Sequence, residues 1–235
     1  GIFLDITGEE ICTCDWCVAS MNEKGLDPNN AADRVIHSQD VYKDYLTKTT
    51  DIVWSRNPDA TIYHNGSDKK GRHDLYPYWS HHEIESLPTG MWGYNHFPTN
   101  ARYFTNLPDC NVIAQTGKFH RMWGEFGGFK NPVALEYEVG QIVSLNCRCM
   151  VGDQLHPEGE MDEETYRIIG SAYERVEERE PWLVGAEHVV DVAILAPSGV
   201  HKNRDLEESE IGAGLMLMEN HIPFSMLDET MDLSP

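Results

Sequence analysis

Basic residues are scarce in this chain: 18 Lys and Arg stand against 39 Asp and Glu, giving a formal net charge of -21. Phosphate backbones are bound by basic surfaces, so this deficit excludes nucleic acid as a partner. There is no apolar run of about 18 residues, which excludes a membrane-spanning helix. No internal repeat and no low-complexity tract appears. A signal peptide and an initiating methionine are also missing, because the chain opens in mid-strand on Gly-Ile-Phe-Leu-Asp. It therefore reads as a fragment whose amino end does not fix localisation, although unpaired cysteines favour the cytoplasm.

What remains is ordinary globular material. The 235 residues are 40% hydrophobic and 10% aromatic, enough for a sizeable core. Of the six cysteines, Cys12, Cys14 and Cys17 form Cys-x-Cys-x-x-Cys. Adjacent disulfides at that spacing would be strained, so the pattern suits a metal, with structural zinc the expected ion. No organic cofactor is expected.

Apolar strand-like runs alternate with helical patterns, which predicts an α/β protein with parallel strands. Strands are expected at residues 1–6, 60–64, 79–84, 111–115 and 148–151. Helices are expected at 30–48, around 101–104, at 132–143 and at 163–179. In the first helix Val35, Ile36, Val41, Tyr42, Tyr45 and Leu46 supply the apolar face. Pro132 is placed to open its helix, where a fixed φ is favourable. Beyond Pro181-Trp182 the character changes to an unadorned apolar strand at 189–196, a helix around 211–219 and a strand at 222–227. This predicts two domains, 1–184 and 185–235, the second the beginning of a flavodoxin-like α/β domain.

Each of the first five strands ends in polar chemistry: Asp5, Asn65, Glu83 and Glu85, Thr116 with Lys118 and His120, and Asp153 with His156. Polar groups gathered at the C-terminal ends of parallel strands are what a (β/α)₈ barrel site requires. The densest stretch is His81-His82-Glu83-Ile84-Glu85, followed by Met91-Trp92-Gly93-Tyr94. Strand alternation would put Glu83 and Glu85 on one face, His82 and Ile84 on the other. The first domain is accordingly expected to be the C-terminal part of a TIM barrel.

These residues resemble the glycoside hydrolases related to α-L-fucosidases (families 29 and 151) and to the family 42 β-galactosidases. Gly-Ile-Phe-Leu-Asp looks like the family 29 strand that closes on the nucleophile, here Asp5. His-Glu ahead of Met-Trp-Gly-Tyr-Asn looks like the segment in which a glutamate precedes Trp-Gly-Tyr. Thr-Gly-Lys-Phe-His, Gly-Asp-Gln-Leu-His-Pro and the strand after Pro181-Trp182 are similar to a hypothetical glycosyl hydrolase domain preceding a β-galactosidase-type trimerisation domain. Cys-Thr-Cys-Asp-Trp-Cys looks like the zinc loop of some family 42 enzymes. Family 42 places a glutamate acid at the end of the first strand seen here, whereas this chain has Asp5, which favours the fucosidase-like assignment.

The resemblance implies a retaining, exo-acting glycosidase with a carbohydrate substrate, assembled as a homo-oligomer with a trimer the expected form. Asp5 would be the nucleophile, and Glu83 in preference to Glu85 the acid/base. Asn65, His81, His82, Lys118, His120, Asp153, Gln154 and His156 offer donors and acceptors for sugar hydroxyls, while Trp92, Trp123 and Trp79 offer faces for a pyranose ring. Each tryptophan could equally be core. Two other classes stand beside this reading: a metal-dependent barrel hydrolase using His64, His81, His82, His120 and His156, and a non-catalytic carbohydrate-binding scaffold.

Overall fold

The structure is a computed structural model that describes residues 1–66, 70–108, 111–196 and 208–231. Cys110 lies outside the described residues. The chain is a mixed α/β protein with parallel sheets, and it divides into two compact units, Gly1–Ser80 and His81–Pro235.

In the first unit β1 (Ile2–Leu4) pairs in parallel with β2 (Ile62–His64), Ile2 opposite Ile62 and Leu4 opposite His64. Both strands are shorter than their apolar runs, because the chain turns at Ile6 and at Asn65-Gly66. Between them lie α1 (Asp15–Glu23) and α2 (Ala31–Arg56). The first of these is not among the helices expected from the sequence. Its signal is at the far end: Gly25, at φ +73°, follows the helix, and the Leu26 amide donates back to the Met21 carbonyl at 2.9 Å. Asn30 caps α2 by accepting from the Ala32 amide at 2.8 Å.

The apolar face of α2 is the expected one only in part: Tyr42, Tyr45 and Leu46 lie on it. His37, Ser38, Tyr42, Leu46 and Thr50 are buried, while Val35, Ile36 and Val41 are exposed. Four-residue spacing from Ser38 through Thr50 selects one stripe, which with the adjacent His37 admits three polar side chains while leaving three β-branched ones out. Tyr42 and Leu46 pack with Tyr63, Leu75 and Trp79 as a core cluster. Trp79 is therefore core and not a platform for a sugar.

The second unit contains β3 (His81–Glu85), α3 (His96–Phe104), β4 (Asn111–Gly117), α4 (Pro132–Ser144), β5 (Arg148–Gly152) and α5 (Glu163–Glu177). The strands form one parallel sheet in the order β3-β4-β5, with Glu85 opposite Gln115 and Gly117 opposite Gly152. Pro132 does open α4, and the Asn131 side chain caps it on the Val133 amide at 3.0 Å. Leu135 and Val139 of α4 meet Ile168, Ile169 and Ala172 of α5. After the short α6 (Glu180–Leu183), β6 (Val192–Leu195) and β7 (Phe224–Leu227) make a separate parallel pair, with α7 (Glu208–Glu219) between them in sequence. This βαβ segment is tied to α3. Tyr103 donates to Asp228 at 2.5 Å, Asn106 reaches the Met226 carbonyl at 3.3 Å, and the Arg102 guanidinium lies 4.5 Å from the Phe224 ring centroid.

Candidate functional site

The first unit presents Asp5 immediately after β1, exposed at the surface. Its Oδ1 accepts two hydrogen bonds, from the Ile6 amide at 3.0 Å and from Asn65 Nδ2 at 2.7 Å. The first depends on an unusual backbone. Ile6 adopts φ +48°, a left-handed conformation that costs a β-branched residue about 1–3 kcal/mol. Asn65 is itself held firmly: its amide donates to the Leu4 carbonyl at 2.9 Å, and its carbonyl accepts from the Thr7 amide at 2.8 Å. The Thr7 hydroxyl adds a second link to that carbonyl at 2.9 Å and lies 3.0 Å from the Tyr42 hydroxyl. Gly66 permits this approach: at φ +92°, a Cβ there would come within 2.6 Å of the Thr7 carbonyl oxygen. A hollow of about 440 Å³ is lined by Asp5, Thr7, Glu10, Ser38, Tyr42 and Tyr45 among others. Sequence reasoning placed Asn65 on the sugar; here its amide is turned onto Asp5.

His64, one of the histidines considered for a catalytic metal, is fully buried beside Thr50 and edge-on to Tyr45. Burial pushes its pKa down to about 4, as expected for a core imidazole kept neutral.

The three spaced cysteines do come together. The sulfurs of Cys12, Cys14 and Cys17 all lie within 4.8 Å of one another, and no other group of three or more His, Cys, Asp or Glu residues gathers in this way among the described residues. Cys14 is the N-cap of α1. The Cys17 backbone amide and the neighbouring thiols lower its pKa, whereas hydrogen bonding to Cys12 and burial push Cys17 up to about 11. This donor set is soft, close-set and suited to a tetrahedral zinc ion taking a fourth ligand.

The second unit carries the paired glutamates. Strand alternation holds: Glu83 accepts from His81 Nε2 at 2.7 Å on one face, while the buried His82 ring packs 5.0 Å from Phe104 of α3 on the other. His82 therefore faces helix packing and not the carboxylates. Glu83 is buried, with Gln115 donating to its second oxygen. Glu85 is half-buried and accepts from the Trp123 indole N–H. Trp123 lies in the loop after β4 and its ring stands nearly perpendicular to Phe119. Gly117 and Gly152 make room for these rings, since a Cβ at Gly152 would meet the indole at 2.4 Å. The expected role of Trp123 as a bare platform is thus replaced in part by a contact to Glu85. Gln115 escaped sequence reasoning, because only the parallel register brings it opposite Glu85.

Other expected sugar contacts are more varied. Lys118 is buried and donates to the Phe126 carbonyl at 3.1 Å, with its ammonium 5.4 Å from the ring centroids of both Phe119 and Phe129. It braces the loop and is not turned to solvent. His120 is exposed, and its carbonyl accepts from Thr89 at 2.5 Å. Asp153 accepts from the Gln154 amide at 2.7 Å, and His156 lies 5.4 Å from the Phe126 ring. Trp92, half-buried near His96, lines a separate hollow of about 380 Å³ with Tyr94 and Asn100.

Beneath the loop is a network that sequence reasoning missed entirely. Lys130 and Glu138, both fully buried, form an ion pair. Thr116 donates to Glu138 at 2.5 Å, Tyr94 donates to it at 3.3 Å, and Lys130 donates to the Thr116 hydroxyl at 2.9 Å. The Lys130 amide also closes the loop on the Lys118 carbonyl at 2.7 Å.

No protein-family model matches the chain, and no curated protein matches it either. Among solved structures the chain is similar to α-L-fucosidase isoenzyme 2 from Paenibacillus thiaminolyticus, with 43% sequence identity and a TM-score of 0.92. The likeness covers 100% of this chain but 36% of that one, so the chain spans well under half the length of that relative. The fucosidase-like resemblance read from the motifs and the parallel α/β fold are both matched by it.

Proposed function

We propose that the chain is part of a retaining, exo-acting α-L-fucosidase-like glycoside hydrolase, residues 1–184 being the C-terminal part of its (β/α)₈ barrel. The observation that carries this reading is the 43% identity to an α-L-fucosidase over the whole chain. The local chemistry agrees with it. In the first unit β1 ends on a carboxylate with one oxygen doubly hydrogen-bonded, a fitting nucleophile. In the second, β3 ends on Glu83 and Glu85, and Glu83 is the proposed acid/base with Glu85 the second candidate. His81 beside Glu83 is placed to exchange a proton with it. A carbohydrate substrate follows from the same reading, with His120, Asp153, Gln154 and His156 as candidate hydroxyl partners and Trp92 as a candidate ring platform.

In this proposal residues 185–235 begin a flavodoxin-like trimerisation domain, and the complete protein is a homotrimer. Sedimentation of the full-length protein as a monomer at micromolar concentration would remove that part. Zinc on Cys12, Cys14 and Cys17 would fix the loop after the Asp5 strand and take no part in bond cleavage. The full-length enzyme should hydrolyse an aryl α-L-fucoside, contain zinc by elemental analysis, and after chelation lose thermal stability while keeping its turnover in the cold. Turnover abolished by chelation and restored by metal at unchanged stability would instead favour a metal-dependent hydrolase.

A further inference from the structure

We infer that Asn65 is a positioning residue that aims the Asp5 carboxylate, and not a sugar-binding residue. The inference rests on Asp5 being the nucleophile. Two hydrogen bonds within this unit set the Asp5 rotamer. Both end on Oδ1, one from the Ile6 amide and one from Asn65 Nδ2. Oδ2 receives no hydrogen bond among the described residues, which leaves one oxygen held and the other open to attack an anomeric carbon. A carboxylate on a freely rotating side chain would spend much of its time misdirected.

Asn65 can act as a fixed donor because its own backbone is over-determined. The Leu4 carbonyl, the Thr7 amide and the Thr7 hydroxyl all bind it, and Tyr42 in turn meets that hydroxyl. Gly66 lets the Thr7 carbonyl approach where any Cβ would collide. The Ile6 strain has the same effect from the other side, turning the Ile6 amide back onto Oδ1. Ile6, Thr7 and Tyr42 are thereby recruited to one oxygen atom.

The test uses the full-length enzyme and an aryl α-L-fucoside. Asn65→Ala should lower kcat about ten- to hundredfold, the scale of a hydrogen bond to a charged group, with KM changed less than about twofold. Asn65→Asp, which keeps the shape but replaces the donor by a like charge, should fall at least as far while its thermal melt stays near that of the parent. The deciding measurement is made in the Asp5→Gly enzyme driven by azide. With no carboxylate to aim, adding Asn65→Ala should leave the azide rate within about twofold. A further ten-fold loss in that background, or a raised KM with kcat retained, would make Asn65 a sugar contact and overturn the inference while leaving the nucleophile intact. Full turnover by Asp5→Gly without azide would overturn the nucleophile assignment first, and this role with it.

Discussion

Asp5→Gly in the full-length enzyme should lower hydrolysis of an aryl α-L-fucoside by about four to six orders of magnitude, because the covalent step loses its nucleophile. The fold should survive. Asp5 follows a strand end, and its two hydrogen bonds both fall on one oxygen, from the neighbouring Ile6 amide and from Asn65. Azide should restore part of the rate by occupying the space left by the carboxylate and attacking the anomeric carbon itself. The aryl alcohol leaves, and the product is a fucosyl azide of inverted configuration. Replacing Glu83 with Ala should act differently, sparing substrates whose leaving groups need little protonation and slowing those with poor ones. If Glu85→Ala shows that leaving-group pattern and Glu83→Ala does not, the acid/base is Glu85. Turnover by Asp5→Gly within tenfold of the parent, without azide, would end the fucosidase-like mechanism.

Much of the scaffold behind this experiment was legible before any coordinates. Period-2 alternation in His81–Glu85 gave the two faces of β3 correctly, since Glu83 meets Gln115 on one side and His82 meets Phe104 on the other. Pro132 announced α4, and the cysteine spacing announced a cluster of donors. The misses have a common cause, which is that hydrophobicity was read without its partner. Val35, Ile36 and Val41 are apolar, yet the spacing of Tyr42, Leu46 and Thr50 decides which stripe of α2 is covered, and two flanking polar residues go in with it. Asn65 and Lys118 sit at strand ends, where the sequence predicts sugar ligands. What redirects them is local geometry, a doubly anchored turn in one case and a carbonyl of their own loop in the other. Neither geometry leaves a signature in composition. The φ of Ile6 is of the same kind, since nothing about an isoleucine advertises a left-handed backbone.

The buried Lys130–Glu138 pair illustrates the limit most sharply, and it should have the largest effect on stability. In the sequence Lys130 is a loop lysine and Glu138 one carboxylate among many on an acidic chain. In the structure their side chains are 0% and 2% exposed, and Thr116 and Tyr94 supply the remaining hydrogen bonds. Burial lowers the Lys130 pKa, and the Glu138 carboxylate beside it works against that shift. Each charge is tolerable only because the other is there. Lys130→Met should therefore destabilise the second unit by about 3–5 kcal/mol, the cost of leaving one buried charge unpaired. Replacing both partners, Lys130→Met with Glu138→Leu, should recover most of that loss, because two apolar chains of similar volume need no desolvation of charge. Denaturant melts of the full-length protein, followed by hydrogen exchange in β4 and α4, would measure both. Loop closure gives a second reading: the Lys130 amide holds the Lys118 carbonyl, so exchange in residues 118–130 should rise in the single variant and fall back in the double. A Lys130→Met enzyme within about 1 kcal/mol of the parent would show that the pair is solvated or uncharged in solution, and the clamp under the loop would have to be abandoned.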